Sequence, residues 1–250
     1  MKIILRHILA SYLGLLARIL LTYRRPLIIA VAGTVNKGFA VTAIAEELRH
    51  RGYSVETPPH NFNTEIGLPL AILGLPSGYD SYRAWKRIIW RALWALKRPL
   101  AGVFVLELGI YRPGDMKALL GIIKPQIAIV TDITQRYREN FGGLDRLVAE
   151  YRLLLSSVAN DGLAVLNYDT IVVRELASSA TCPVSYVSLS SGTDNEVATA
   201  LIEKLSSGQR VKFSIDGEVS EEVIDRFGRH HAFVRLIGRR VGAAPFFQKR

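Results

Sequence analysis

At 250 residues and 49% apolar content, the chain has material for one large domain or one and a half, with an ample core. Its single cysteine, Cys182, excludes an intramolecular disulfide framework and cysteine-built metal clusters, and fits a reducing compartment. The formal net charge of +10 points to an anionic partner, be it lipid, nucleic acid or a phosphorylated substrate, without choosing among them.

Residues 1–25 are apolar and basic. On a helical wheel His7, Ser11, Arg18 and Arg25 share one stripe, with Tyr12 and Tyr23 opposite among leucines and isoleucines. Three readings stand: a helix in a membrane interface, a transmembrane anchor, or a helix packed on its own domain. Spanning would bury Arg18, at about 2.5–3.5 kcal/mol if central. The uncharged run Ile8–Ala17 falls short of the roughly 20 residues a span needs. The segment has no small-residue cleavage site, so a removed signal peptide is not expected.

From Pro26 the rhythm turns to strand–helix–strand. Leu27–Ala32 is predicted as a buried strand, Gly38–Arg51 as a helix stopped by Gly52, and Tyr53–Glu56 as a second strand. Ala101–Glu107, Gln126–Thr131, Leu163–Asn167 and Val184–Ser188 read as further strands, with helices over Pro113–Ile123 and Leu144–Val158. Continuous apolar strands alternating with helices predict an α/β fold: a mostly parallel sheet with helices on both faces, preceded by the amphipathic N-terminal helix. Tyr82–Arg98 interrupts the pattern as a basic insertion. It holds all three tryptophans, with Arg83, Arg87 and Arg91 in one helical row and Trp85, Ile89, Ala92 and Leu96 in another. It is either an interfacial membrane helix or an amphipathic helix packed on the sheet; the N-terminal segment favours the former. Beyond Ser206 the pattern weakens. Val211–Ile215 reads as a strand, the main domain extends over 26–233, and 234–250 is expected as a basic tail, solvated or touching a membrane.

Parallel sheets bind ligands at the carboxyl ends of their strands, and Gly33–Lys37, Glu107, Asp132 and Asn167 all sit there. Gly33, Thr34, Val35, Asn36, Lys37 and Gly38 form a strand–turn–helix junction suited to a phosphate chain, with backbone N–H groups as the cradle and Lys37 as a point charge. A phosphate loop usually has Gly before the lysine and Ser or Thr after it; here those places hold Asn36 and Gly38. Asn36 tolerates the left-handed turn, whereas Gly38 offers Mg²⁺ no hydroxyl and Thr42 lies a turn too far on. Glu107, ending its strand, is placed to hold Mg²⁺ directly or through water. Asn61, Asn63 and Glu65 form a polar loop in which a substrate can be read. His230 and His231 lack metal-ligand spacing and are expected at the surface.

Six stretches together resemble the central, ATP-binding domain of the Mur ligases, in pattern nearest the branch that adds D-alanyl-D-alanine to UDP-N-acetylmuramoyl-tripeptide. They are AVAGTVNK (30–37), HNFNTEIGLPLAIL (60–73), LELGIYRPGDMKAL (106–119), PQIAIVTDI (125–133), DGLAVLNYD (161–169) and, closing the domain, GRHHAF (228–233). The resemblance implies a P-loop-like fold and a reaction of peptidoglycan precursor synthesis. In it ATP phosphorylates a carboxylate, and an amine displaces phosphate to form an amide. By position, it implies Lys37 on the outer phosphates, Glu107 on Mg²⁺ and Asn167 at the adenine. It also implies a UDP-linked cell-wall precursor as substrate and a cytoplasmic location; the two amphipathic segments add the expectation of a place at the inner membrane face.

The departures from the family pattern run in one direction. Besides Asn36 and Gly38, Tyr137 stands where the family carries a histidine near a second metal, and Arg152 where it carries a modifiable lysine. All four remove Mg²⁺ or phosphate ligands. No stretch corresponds to the family's flanking domains, so activity is expected to be reduced or to need a protein partner. The alternative is a catalytically inactive, membrane-associated interaction module that keeps the fold. Despite the basic charge, no nucleic-acid-binding motif is present, and no nucleic acid partner is expected.

Overall fold

The computed structural model describes residues 2–58, 62–78, 81–136, 138–190 and 197–248. It opens with helix α1 (Lys2–Arg24), strand β1 (Leu27–Ala32) and helix α2 (Lys37–His50). Next come β2 (Val55–Glu56), α3 (Gly67–Leu73), α4 (Tyr82–Ala95), β3 (Val103–Glu107) and α5 (Asp115–Leu120). β4 (Ile127–Val130), α6 (Arg138–Phe141), α7 (Leu144–Ser156), β5 (Leu163–Asn167) and α8 (Ile171–Glu175) continue the alternation. The chain then adds β6 (Val184–Ser188), β7 (Val197–Lys204), β8 (Gln209–Ile215), β9 (Glu218–Ile224) and α9 (Arg229–Gly242).

The strands form one sheet in the order β2-β3-β1-β4-β5-β6-β7-β8-β9, parallel through β7 and antiparallel in the last two pairings. The alternation of side chains along β1 divides the core in two. Ile28, Ala30 and Ala32 face a layer that includes α1, α3, α4, α5 and α7. Ile29 and Val31 face α2 and α9. The expected α/β architecture with helices on both faces therefore holds.

The N-terminal helix is packed on the domain. Leu13, Leu16, Ala17, Leu20 and Leu21 are buried in the first core layer. α4 is anchored more narrowly, by Ile88 and Ala92, with Ser81 capping its start by accepting from Ala84 N at 3.3 Å.

The carboxyl-terminal third departs from expectation. The strand at 211–215 is the middle one of a three-stranded meander, and residues 234–242 belong to a buried helix rather than to a tail. α9 packs on α2 so closely that a β-carbon on Gly238 would lie 2.9 Å from Ala43 O. The basic residues that suggested a tail are ion-paired: Arg235 with Glu46 at 2.7 Å, Arg239 with Glu222 at 2.9 Å, and Arg240 with Asp216. Ala232, Phe233, Leu236, Ile237 and Val241 fill the second core layer beneath them.

Candidate nucleotide site

β1 delivers the chain to the loop at Gly33. This residue has φ +136°, and a β-carbon there would fall 2.2 Å from Thr131 Oγ1, so glycine is required by both conformation and space. The loop is clamped to the segment after β4. Thr34 N donates to Asp132 O at 2.8 Å, Thr134 N donates to Thr34 Oγ1 at 2.9 Å, and Thr131 Oγ1 donates to Val35 O at 2.7 Å.

Asn36 then takes the left-handed conformation (φ 62°) and starts α2 without a side-chain cap. The N–H groups of the first turn of this 14-residue helix are thereby left to solvent or a ligand, at the positive end of the helix dipole. That is the environment a phosphate chain needs.

Lys37, the first helical residue, is largely enclosed. Its Nζ lies 3.7 Å from Glu107 Oε1, and the two side chains are only 12% and 24% exposed. Burial pulls the ammonium below the ordinary lysine value; Glu107 opposes that shift, while Arg136 adds to it. Asn63 Nδ2 donates to Glu107 Oε1 at 2.8 Å. The other carboxylate oxygen faces Gly38, 3.5 Å from where a β-carbon would stand, which is ordinary contact distance.

Lys37, Glu107 and Asn63 thus form one cluster at the ends of β1 and β3. Asn167 belongs to a neighbouring network. Its Nδ2 donates to Thr170 Oγ1 at 3.3 Å, and Thr170 Oγ1 donates to Asp132 Oδ1 at 3.0 Å. Asp132, whose carbonyl holds Thr34, links that network to the loop at residues 33–38. Glu65 points elsewhere: it pairs with Arg6 of α1 at 2.7 Å and lines a cleft of about 570 Å³ with Arg18, Arg112 and Asp115. Asn61 and Tyr137 lie outside the described residues. Arg152 is exposed on α7.

The donors present fit a phosphate chain with a single metal ion. Among the described residues no group of three or more His, Cys, Asp or Glu side chains could hold a metal. Mg²⁺ commonly takes one or two carboxylates and completes its shell with phosphate oxygens and water, which Glu107 alone can support.

Sequence reasoning missed the threonine clamp of Thr34, Thr131 and Thr134; its one signal is threonine recurring at the ends of β1 and β4. It also missed a ring cluster at the start of α2, where Phe39 lies 5.7 Å from His230 and 6.1 Å from His231. The two histidines, expected at the surface, are half-buried there. Burial and the neighbouring His230 and arginines push His231 below the usual histidine value.

The Mur ligase middle domain family matches residues 91–235, beginning past the loop that carries Asn36 and Gly38. The chain is 25% identical over 161 residues to the UDP-N-acetylmuramoyl-tripeptide–D-alanyl-D-alanine ligase of Mycobacterium leprae, covering 64% of this chain and 27% of that protein. It is 22% identical over 191 residues to the Bacillus subtilis ligase of the same name, covering 76% and 35%. Among solved structures, the MurF ligase of Thermotoga maritima in complex with ADP superposes with a TM-score of 0.74 at 19% identity, over 93% of this chain and 48% of that one. The chain therefore spans about a third of these curated relatives, and it shares the fold of the solved ligase. With more than half its length matched, it belongs to the Mur ligase middle-domain family.

Proposed function

We propose that this chain is the nucleotide-holding module of an ATP-dependent, amide-forming ligation in peptidoglycan precursor synthesis, acting in the cytoplasm. Loop 33–38 and the open first turn of α2 take the triphosphate, Lys37 meets the outer phosphates, and Asn167 lies toward the adenine. Asn63, beside Glu107, meets the carboxylate substrate, a UDP-linked muramoyl peptide. Glu107 would hold Mg²⁺, which when bound neutralises charge on the transferring phosphoryl group. Lys37 supplies a fixed positive charge where negative charge builds up, in a site from which water is partly excluded. By itself the chain turns over slowly, and full activity needs a partner or a longer chain.

The observation that carries this reading is the enclosed Lys37–Glu107 pair at an uncapped helix start. A second reading, a non-catalytic module that keeps the fold, is favoured by Asn36, Gly38 and the absence of a multi-ligand metal cluster among the described residues. Phosphate release from ATP and Mg²⁺, measured with UDP-N-acetylmuramoyl-tripeptide with and without D-alanyl-D-alanine, separates the two. The ligase reading expects slow release that requires the tripeptide and disappears in Lys37→Ala. ATP binding with no release under any of these conditions would assign the chain to the second reading.

A further inference from the structure

α1 and α4 lie together on the sheet face opposite α2. Tyr12 Oη donates to Ile89 O at 3.0 Å and Arg24 Nη2 donates to Lys97 O at 3.1 Å, joining the two helices side by side. Each buries one stripe and leaves large apolar side chains in water. On α1 these are Ile8 (60% exposed), Leu15 (51%) and Ile19 (46%). On α4 they are Trp90 (71%), Leu93 (48%) and Trp94 (67%). Tyr12 follows Ile8 by four residues and precedes Ile19 by seven, and Ile89 precedes Leu93 by four, so the joining contact brings the two apolar stripes into one surface.

Neither helix contains an acidic residue, and α4 carries Arg83, Lys86, Arg87 and Arg91 exposed around its tryptophans. Lys97 Nζ sits 5.1 Å from the Trp94 ring. These basic side chains have no acidic partner among the described residues. Exposed tryptophan and leucine interleaved with such basic charge is the composition of a helix seated at the headgroup level of an anionic bilayer. Leu5–Arg24 is long and apolar enough to cross a membrane. Crossing would, however, withdraw Leu13, Ala17 and Leu20, all at most 1% exposed, from the domain core.

We propose that the joined α1–α4 face is a docking surface for an anionic lipid bilayer, on which the domain lies without spanning. This surface is distinct from the nucleotide loop, so either reading can fail without the other.

The three tryptophans of the chain all lie on α4 and report on it directly. Flotation and tryptophan emission are measured with phosphatidylcholine vesicles and with phosphatidylcholine–phosphatidylglycerol vesicles. Expected is selective binding to the anionic vesicles with a blue shift, and release by alkaline carbonate. Trp90→Ala/Trp94→Ala and Arg83→Gln/Arg87→Gln/Arg91→Gln each weaken vesicle binding by about tenfold or more. These side chains are exposed, and unchanged thermal melts verify folding of the variants. Failure to bind anionic vesicles overturns the proposal, as does binding indifferent to both variants. Resistance to carbonate extraction would replace docking by spanning. A blue shift that follows protein concentration without lipid would assign the face to a second copy of the chain.

Discussion

Lys37 Nζ stands 3.7 Å from Glu107 Oε1, bridging the first turn of α2 and the carboxyl end of β3. The pair is held by the strand register, since β1 and β3 run parallel with Val31 opposite Glu107. Removing the lysine leaves an uncapped helix start without its point charge. Lys37→Ala is expected to weaken ATP binding by about 10- to 100-fold, the value of a charge-assisted contact. Glu107→Gln is expected to keep ATP binding while abolishing its enhancement by Mg²⁺. Equilibrium titration of each variant with ATP, in Mg²⁺ and in chelator, checks both.

The two departures at the loop can be reversed without steric cost. Asn36 already has φ 62°, which glycine adopts freely, and a β-carbon at position 38 meets Glu107 only at contact distance. The double variant Asn36→Gly/Gly38→Ser is expected to raise Mg²⁺-dependent ATP affinity several-fold over the parent, because the new hydroxyl stands beside Glu107. Titration in Mg²⁺ with a chelator control reads the gain. An unchanged Mg²⁺ dependence would show that the loop sequence is not what limits the metal.

Lys37 also sets a pH dependence. Burial lowers its proton affinity in the folded protein relative to the unfolded chain, whose lysine titrates near 10.5. Between the lowered value and 10.5 the unfolded state binds more protons, so stability attributable to this group rises with pH across that window. Nucleotide affinity moves the opposite way, since the ammonium is the form that meets phosphate. ATP affinity is therefore expected to fall at a lower pH than an ordinary lysine would dictate, and Lys37→Arg is expected to remove that fall. Titrations from neutral to alkaline pH measure it.

Glu150 is a structural residue that sequence reasoning did not single out. At 6% exposure, its carboxylate accepts from Gly114 N at 2.7 Å and Met116 N at 2.8 Å, fixing the turn into α5. Glu150→Ala leaves two backbone donors without an acceptor and is expected to cost about 2–3 kcal/mol. At this chain length that lowers the melting temperature by about 4–12 °C. Glu150→Gln keeps one acceptor and is expected to lose about half as much. Calorimetry of both variants decides.

The parallel half of the sheet was legible because β1, β3, β4 and β5 are unbroken apolar runs ending in Gly33, Glu107, Thr131 and Asn167. The meander and α9 were less so. β7 (VATALIEK) is built largely of helix formers, and pairing with β6 and β8 overrides that preference. The β8–β9 hairpin did carry a signal, Asp216–Gly217, both at positive φ. The arginines of α9 suggested a tail because their partners lie on other elements, Glu46 on α2 and Glu222 on β9. At the site, Lys37 and Glu107 were readable from strand ends, whereas Asn63 was read only as part of a polar loop and its bond to Glu107 was not foreseen. Nor was the turning of Glu65 toward Arg6, since it depends on where α1 docks.

The central claim, a nucleotide loop that still binds ATP beside a reduced metal site, is tested most directly by calorimetric titration of the full chain with ATP in Mg²⁺ and in chelator, alongside Lys37→Ala. The account predicts saturable binding of one ATP, a modest strengthening by Mg²⁺, and binding weakened by about 10- to 100-fold in the variant. No binding by the parent chain, or equal binding by Lys37→Ala, would contradict it.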